Sequence, residues 1–291
     1  MEKEKVQSYL RLSTPTFKKY TDILMSENER FASSRFGHFY KDGEHFLGLS
    51  MYSYYPLFFR EVIQLEETYL EKLLKFSHFH FLSLFLLDQI YDSNKIRNSY
   101  EMIVLVRLYQ EAAYSMKDLI GKHEDIMNLI EVNQIHNDVS MLNEKYVLNY
   151  NQTYKESIIK EYCMNKYIYA KSALQVYSLF DHTVKEDTLD KLNLSHDFFA
   201  IGRQYLDDLL DYEEDFNEGG FNIYSYHFYQ KHPTESLLEE DDEVVAYMIS
   251  EAEKYLKNAV VTLDDLPVTG WKRYLESYAK RISSYKVKQI G

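Results

Sequence analysis

The 291-residue chain has a single cysteine, Cys163, so no internal disulfide can form and no second thiol exists to build a zinc site. That leaves Cys163 the role of a small buried hydrophobe. Breakers are also scarce: four prolines and nine glycines favour long helices over many strands joined by turns. Long apolar runs are missing. The longest mostly apolar stretch, Phe79 to Leu87, falls far short of the roughly 20 residues that span a bilayer, and the opening MEKEKVQSYL has no apolar core of a signal sequence. No transmembrane segment and a cytoplasmic location are the expectations. Positive charge is in deficit, with 33 Lys and Arg against 46 Asp and Glu and a net charge of -13. Nucleic acid and anionic membrane are therefore poor partners, because both are bound by neutralising phosphates with Lys and Arg. A small phosphorylated ligand stays open, since divalent cations can bridge it to acidic side chains.

Aromatic residues, in contrast, are plentiful, with 28 Tyr and 17 Phe. Ordinary core and half-exposed helix positions account for most of them. A cavity whose rings stabilise a carbocation is the other use such a composition allows. Apolar residues recurring three and four apart predict helices over Glu61 to Asp92, Tyr100 to Ile120, Ser157 to Phe180, His196 to Asp215, Leu238 to Val261 and Trp271 to Lys286. The segment Phe216 to Asn222 reads as a glycine break, and Pro267 lies in a second one. The acidic run near Asp241 reads as the first turn of a helix, where negative charge suits the macrodipole. With no repeat, low-complexity tract or linker in the sequence, one all-α domain over residues 1–291 is expected.

The sharpest local pattern is Gln204 to Asp215, QYLDDLLDYEED. On a continuous helix Asp207, Asp211 and Asp215 form one row and Asp208 lies beside it. Like charges sharing a face destabilise a helix unless something compensates them, and a hard divalent cation with oxygen ligands would do so. A solvated acidic stripe is the competing reading, weakened by the leucines interleaved through the row. A second pair, Asp88 and Asp92, stands one helical turn apart at the end of an apolar helix. Alone it would be a helix-end pair; facing the first cluster, it could help hold metal ions that bridge to a diphosphate. Lys171 sits in an otherwise apolar helix, as a snorkelling lysine or as a contact to that diphosphate. Arg203 can pair with a neighbouring aspartate, and the basic C-terminal helix offers Arg273 and Arg281, for each of which a surface role competes with ligand contact. No His follows a Glu by three residues, so the helical di-iron signature is absent.

These residues resemble the class I isoprenoid synthases, which include trans-prenyltransferases, squalene and phytoene synthases and class I terpene synthases. Lys171-Ser172 in an apolar helix, a spacer, and then IGRQYLDDLLDYEED are similar to the second half of a trans-prenyltransferase, where a Lys-Thr or Lys-Ser helix precedes a Gln-x-x-Asp-Asp-x-x-Asp motif. Gln204, Asp207, Asp208 and Asp211 match that motif. Glu214-Asp215, Gly219-Gly220 and Asn222 continue it as in bacterial members outside the standard prenyltransferases. Asp88 and Asp92 match the first aspartate motif only in the looser Asp-x-x-x-Asp form of squalene and phytoene synthases. The resemblance runs from about residue 45 to about residue 220.

The resemblance implies a helical bundle with a central cavity. It implies Mg²⁺, as three ions once diphosphate is bound and with Mn²⁺ able to substitute, held by Asp88, Asp92, Asp207, Asp208, Asp211 and Asp215. It further implies a prenyl diphosphate held by Lys171, Arg203, Gln204, Arg273 and Arg281, and it allows a homodimer. Elongating enzymes of the family carry a Gly-Lys-Arg segment near the N-terminus for a second diphosphate, and Glu44 and His45 stand there instead. The expectation is therefore a terpene synthase acting on one substrate, with a prenyltransferase or condensing enzyme as the enzymatic alternative and a silent partner subunit as the non-enzymatic one.

Overall fold

A computed structural model describes residues 2–34, 48–92, 99–120 and 125–290, and all regular structure among the described residues is helical. In chain order the α-helices are α1 (Glu2–Leu10), α2 (Thr14–Ala32), α3 (Glu67–Asp92), α4 (Ser99–Ile120), α5 (Asp125–Leu142), α6 (Glu156–Lys166), α7 (Ile168–Ser178), α8 (Glu186–Leu210), α9 (Tyr212–Glu218), α10 (Ile223–Lys231), α11 (Asp242–Val261) and α12 (Thr269–Ile290). A 3₁₀ helix, Met51–Phe59, precedes α3, and a π-helical turn, Asn143–Val147, follows α5. No helix among the described residues is long and apolar enough to cross a membrane.

Several boundaries follow from local chemistry. The Asp241 carboxylate accepts the N–H groups of Glu243 and Val244 at 3.0 Å each and opens α11, as its acidic run suggests. Gly219 closes α9 in the left-handed conformation, φ 77°, which a glycine adopts without strain. Two of the expected helices are broken inside, while α3 begins at Glu67 rather than Glu61 and α8 at Glu186 rather than His196. The helix expected over Ser157 to Phe180 breaks at Tyr167 (φ -114°, ψ 13°), and the acidic helix breaks at Asp211 (φ -114°, ψ 12°).

The chain forms two compact units. The first comprises Met1–Met127, Val176–Val184 and Val268–Trp271. Rings of the 3₁₀ helix surround Trp271 in its core, with centroids 6.0 Å away for Tyr55, 6.4 Å for Phe58 and 5.9 Å for Phe59. Several of its buried polar groups are paired. His78 lies between Ser53 Oγ (2.9 Å) and Asn28 Oδ1 (2.6 Å), and the Ser77 and Tyr177 hydroxyls bond each other.

The second unit comprises Asn128–Gln175, Lys185–Pro267 and Lys272–Gly291. Here α8 packs on α11, α6 and α10. At Gly202 the α8 backbone comes so close to α11 that a Cβ would lie 3.0 Å from the Ala252 carbonyl and 3.0 Å from Leu256 Cγ. Cys163 is buried in this unit, as its composition argument requires. Neither unit is one contiguous stretch of chain, so no linker punctuates the sequence.

Candidate functional site

The acidic segment is built at the break between α8 and α9. Backbone bonding continues through it, from Asp211 N to Asp207 O at 3.0 Å and from Asp215 N to Asp211 O at 2.9 Å. The change in geometry at Asp211 nonetheless divides the carboxylates into two groups.

Asp208 and Asp215 face inward. Asp208 is 2% exposed. Its Oδ1 accepts from the Gln204 amide, and its Oδ2 accepts from the backbone N–H of Ile223, the first residue of α10, at 2.6 Å. Asn222 Nδ2 donates to the Asp208 carbonyl at 2.9 Å and to Asp215 Oδ2 at 2.6 Å, while its own Oδ1 accepts the Ser225 N–H at 3.1 Å. Burial raises the Asp208 carboxyl well above the usual carboxylate range and pushes Asp215 up to about 6. The Lys166 ammonium, paired with Glu144 at 2.9 Å, opposes both shifts. With one hydrogen bond accepted on each oxygen from inside the fold, the Asp208 carboxylate anchors the acidic segment to α10. Gln204, expected at the diphosphate, is likewise buried, and its amide is spent on Asp208.

Asp207 and Asp211 face outward. Asp207 Oδ2 accepts from Arg203 Nε at 2.9 Å and from the Tyr167 hydroxyl at 3.0 Å. Its Oδ1 and the Asp211 carboxylate have no hydrogen-bond partner among the described residues. Asp211 is exposed and, with Glu213 and Glu214, lines an open depression of about 650 Å³. Partial desolvation raises the Asp211 carboxyl, and the like charges of Asp207 and Glu214 raise it further. Adding a cation would relieve that repulsion.

The other expected residues are placed as follows. Lys171 Nζ pairs with Asp197 on α8 at 2.7 Å, both side chains being about four-fifths buried. The Arg203 guanidinium lies 4.7 Å from the Tyr167 ring and 5.9 Å from that of Tyr278, and Arg281 lies 4.7 Å from the same Tyr278 ring. Arg273 is half-buried on α12. Asp88 is exposed in the last turn of α3, and Asp92 is that helix's last residue. Glu44 and His45 lie outside the described residues. Tyr167 carries no sequence signal of its role, because neither proline nor glycine marks the break it occupies.

Among the described residues no three His, Cys, Asp or Glu side chains converge into a ready cation site. The outward pair still fits Mg²⁺, which keeps several waters and binds through one or two carboxylates completed by substrate phosphates.

Neither a family model nor a curated protein matches the sequence. Among solved structures the chain is similar to polyprenyl synthase Isp_B from Roseobacter denitrificans, at 14% identity over 96% of this chain and 99% of that one, with a TM-score of 0.69. It is also similar to geranylgeranyl pyrophosphate synthase from Corynebacterium glutamicum, at 15% identity over 95% and 98% of the two chains, with a TM-score of 0.66. The all-helical fold is that of the isoprenoid synthases.

Proposed function

We propose that the chain is a Mg²⁺-dependent class I isoprenoid synthase that ionises a prenyl diphosphate, and that it works as a terpene synthase releasing hydrocarbon or alcohol from a single substrate. The outward pair Asp207 and Asp211, with carboxylate oxygens that have no partner among the described residues, on an isoprenoid synthase fold, carries this reading. These two residues would hold the ion, while Asp215 is tied through Oδ2 to Asn222. Bound Mg²⁺ supplies charge neutralisation for a departing diphosphate. Asp208, Gln204 and Asn222 hold the acidic segment in place. Lys171, Arg273 and Arg281 would turn to the diphosphate oxygens, Lys171 from its pairing with Asp197. Asp88 and Asp92 remain sequence candidates for further ligands, to be tested by mutation.

A second reading, chain elongation by a prenyltransferase, draws on the names of both structural relatives. Against it stands the Glu44-His45 segment, whose side chains do not supply the fixed cations a second diphosphate requires. A cytoplasmic location agrees with the lack of a spanning helix among the described residues. A homodimer is part of the proposal: Val132, Ile135, Val139 and Leu142 form an exposed apolar stripe three and four residues apart along α5, which a second copy would cover.

The test is incubation with geranyl, farnesyl, geranylgeranyl or geranylfarnesyl diphosphate and Mg²⁺, with and without labelled isopentenyl diphosphate, followed by product analysis. A hydrocarbon or alcohol formed without isopentenyl diphosphate is expected. Label in a longer prenyl diphosphate would give the second reading its place, and no turnover of any substrate would remove both.

A further inference from the structure

Asp207 does not hang freely on its helix. Two donors converge on one of its oxygens: Arg203 Nε from the preceding turn of α8, and the Tyr167 hydroxyl from the break between α6 and α7. Tyr167 is itself held. Its backbone N–H bonds the Met164 carbonyl at 3.2 Å, its ring lies under the Arg203 guanidinium, and the Phe199 ring lies beside it, with ring centroids 6.3 Å apart. The pairing is partly dry, with side-chain exposures of 22% for Arg203 and 33% for Asp207. An oxygen that already accepts two hydrogen bonds has both lone pairs engaged. Rotating the carboxylate about its Cβ–Cγ bond would break both bonds together.

We infer that Tyr167 is a positioning residue that makes Asp207 a one-oxygen ligand and thereby biases the site toward Mg²⁺ and against larger cations; this rests on the metal reading above. Mg²⁺ demands near-octahedral geometry with short bonds, whereas Ca²⁺ accepts carboxylates through both oxygens in looser, higher coordination. With Oδ2 claimed by Tyr167 and Arg203, only Oδ1 is offered, which suits the smaller ion. Arg203 supplies the second bond and its charge, but as a neighbour one turn away on the same helix it moves with Asp207. Among the described residues Tyr167 is the tie from outside that helix, and so it fixes the carboxylate against the rest of the unit.

The experiment is titration calorimetry of the purified chain with Mg²⁺ and with Ca²⁺, each in the presence of inorganic diphosphate, for wild type, Tyr167→Phe and Asp207→Asn. Thermal melts of the metal-free proteins accompany it. Tyr167→Phe keeps the ring against Arg203 and Phe199 and removes only the hydroxyl. Its metal-free melt should match wild type, its Mg²⁺ affinity should fall about tenfold, as when a partner holding a metal ligand is lost, and its preference for Mg²⁺ over Ca²⁺ should narrow. Asp207→Asn should lose most Mg²⁺ binding. If Asp207→Asn loses it while Tyr167→Phe binds both ions as wild type does, the role of Tyr167 is overturned and the metal reading stands. If Asp207→Asn binds Mg²⁺ as wild type does, the metal reading falls and the role of Tyr167 with it. If Tyr167→Phe weakens both ions equally, the selectivity is overturned.

Discussion

The carboxylates Glu27 and Asp181 of the first unit and those of the second unit's acidic segment sit in opposite electrostatic settings. In the first, the buried ionisable groups are held in forms the fold accommodates. Burial lowers His78 to about 3 and His80 to about 4, so both stay neutral, while Glu27 and Asp181, despite burial, are held below the usual range by hydrogen bonds from Lys75 and Arg30 and from Thr183 and Gln64. In the second, Asp208, Asp211 and Asp215 are all raised, chiefly by desolvation and further by neighbouring carboxylates, Asp215 and Glu144 at Asp208, Asp207 and Glu214 at Asp211, and Glu144 and Asp211 at Asp215. The first unit is built as a core. The second gathers carboxylates at the end of an otherwise well-packed helix, where Arg203 and Lys166 offset part of their charge.

The largest expected effect on stability comes from removing the anchor. Asp208→Leu strands the buried Ile223 N–H and the Gln204 amide, and should cost about 3 kcal/mol in denaturant unfolding. Asp208→Asn keeps an acceptor and should cost far less. Equal losses for the two would put Asp208 back among the solvated carboxylates.

Next comes a pair of glycines, one in each unit. Gly202→Ala drives a Cβ against the α11 backbone and should destabilise by about 2 kcal/mol. Gly270→Ala meets only ordinary contacts, at 3.5 Å to Leu10 and Phe58 side chains, and should be neutral or stabilise by about 0.5 kcal/mol through the unfolded state. Melting curves of the two variants check the contrast, and similar shifts would deny the close α8–α11 approach.

The smallest effect is one of pH, in the metal-free protein. In the first unit the histidine contribution is full above the ordinary histidine value near 6.5 and is lost as pH falls toward about 4 or 3. The lowered carboxylates also weaken in acid, so every contribution named for this unit has one sign. In the second unit, Asp215 has its value raised to about 6, so its contribution is full below the ordinary aspartate range and is lost as pH rises through about 6. Acid therefore relieves Asp215 there, against a partial loss at His196 and His227, both lowered to about 4 by burial. Trp271, the only tryptophan, reports on the first unit. From about pH 7 to about pH 5 its fluorescence midpoint should fall further than amide protection in α8 does. A larger loss in α8 would reverse the assignment of buried charge.

Much of this was legible in the sequence where local chemistry decides. The Asp241 cap, the Gly219 stop and the apolar run entering Asp88 are each visible within a few residues. The breaks at Tyr167 and Asp211 are not, because neither position carries a proline or glycine and each lies in a segment with ordinary helical patterning. Their consequence was equally hidden. An unbroken helix would put Asp207, Asp211 and Asp215 in one row, whereas the break sends Asp215 inward to Asn222 beside Asp208. Lys171 reads as a free cation until Asp197, 26 residues on, is seen to hold it. The 3₁₀ helix around Tyr55 and Pro56 leaves no periodic trace, since nearly every one of its residues is buried.

The central claim, that the outward carboxylates of the second unit serve Mg²⁺-dependent ionisation of a prenyl diphosphate, is tested most directly by diphosphate release from a prenyl diphosphate by wild type, Asp207→Asn and Asp208→Asn, with Mg²⁺ and with excess chelator. Wild type should release diphosphate only with metal, Asp207→Asn should be slower by orders of magnitude, and Asp208→Asn should stay within about tenfold of wild type. Undiminished release in chelator, or by Asp207→Asn, would contradict the account.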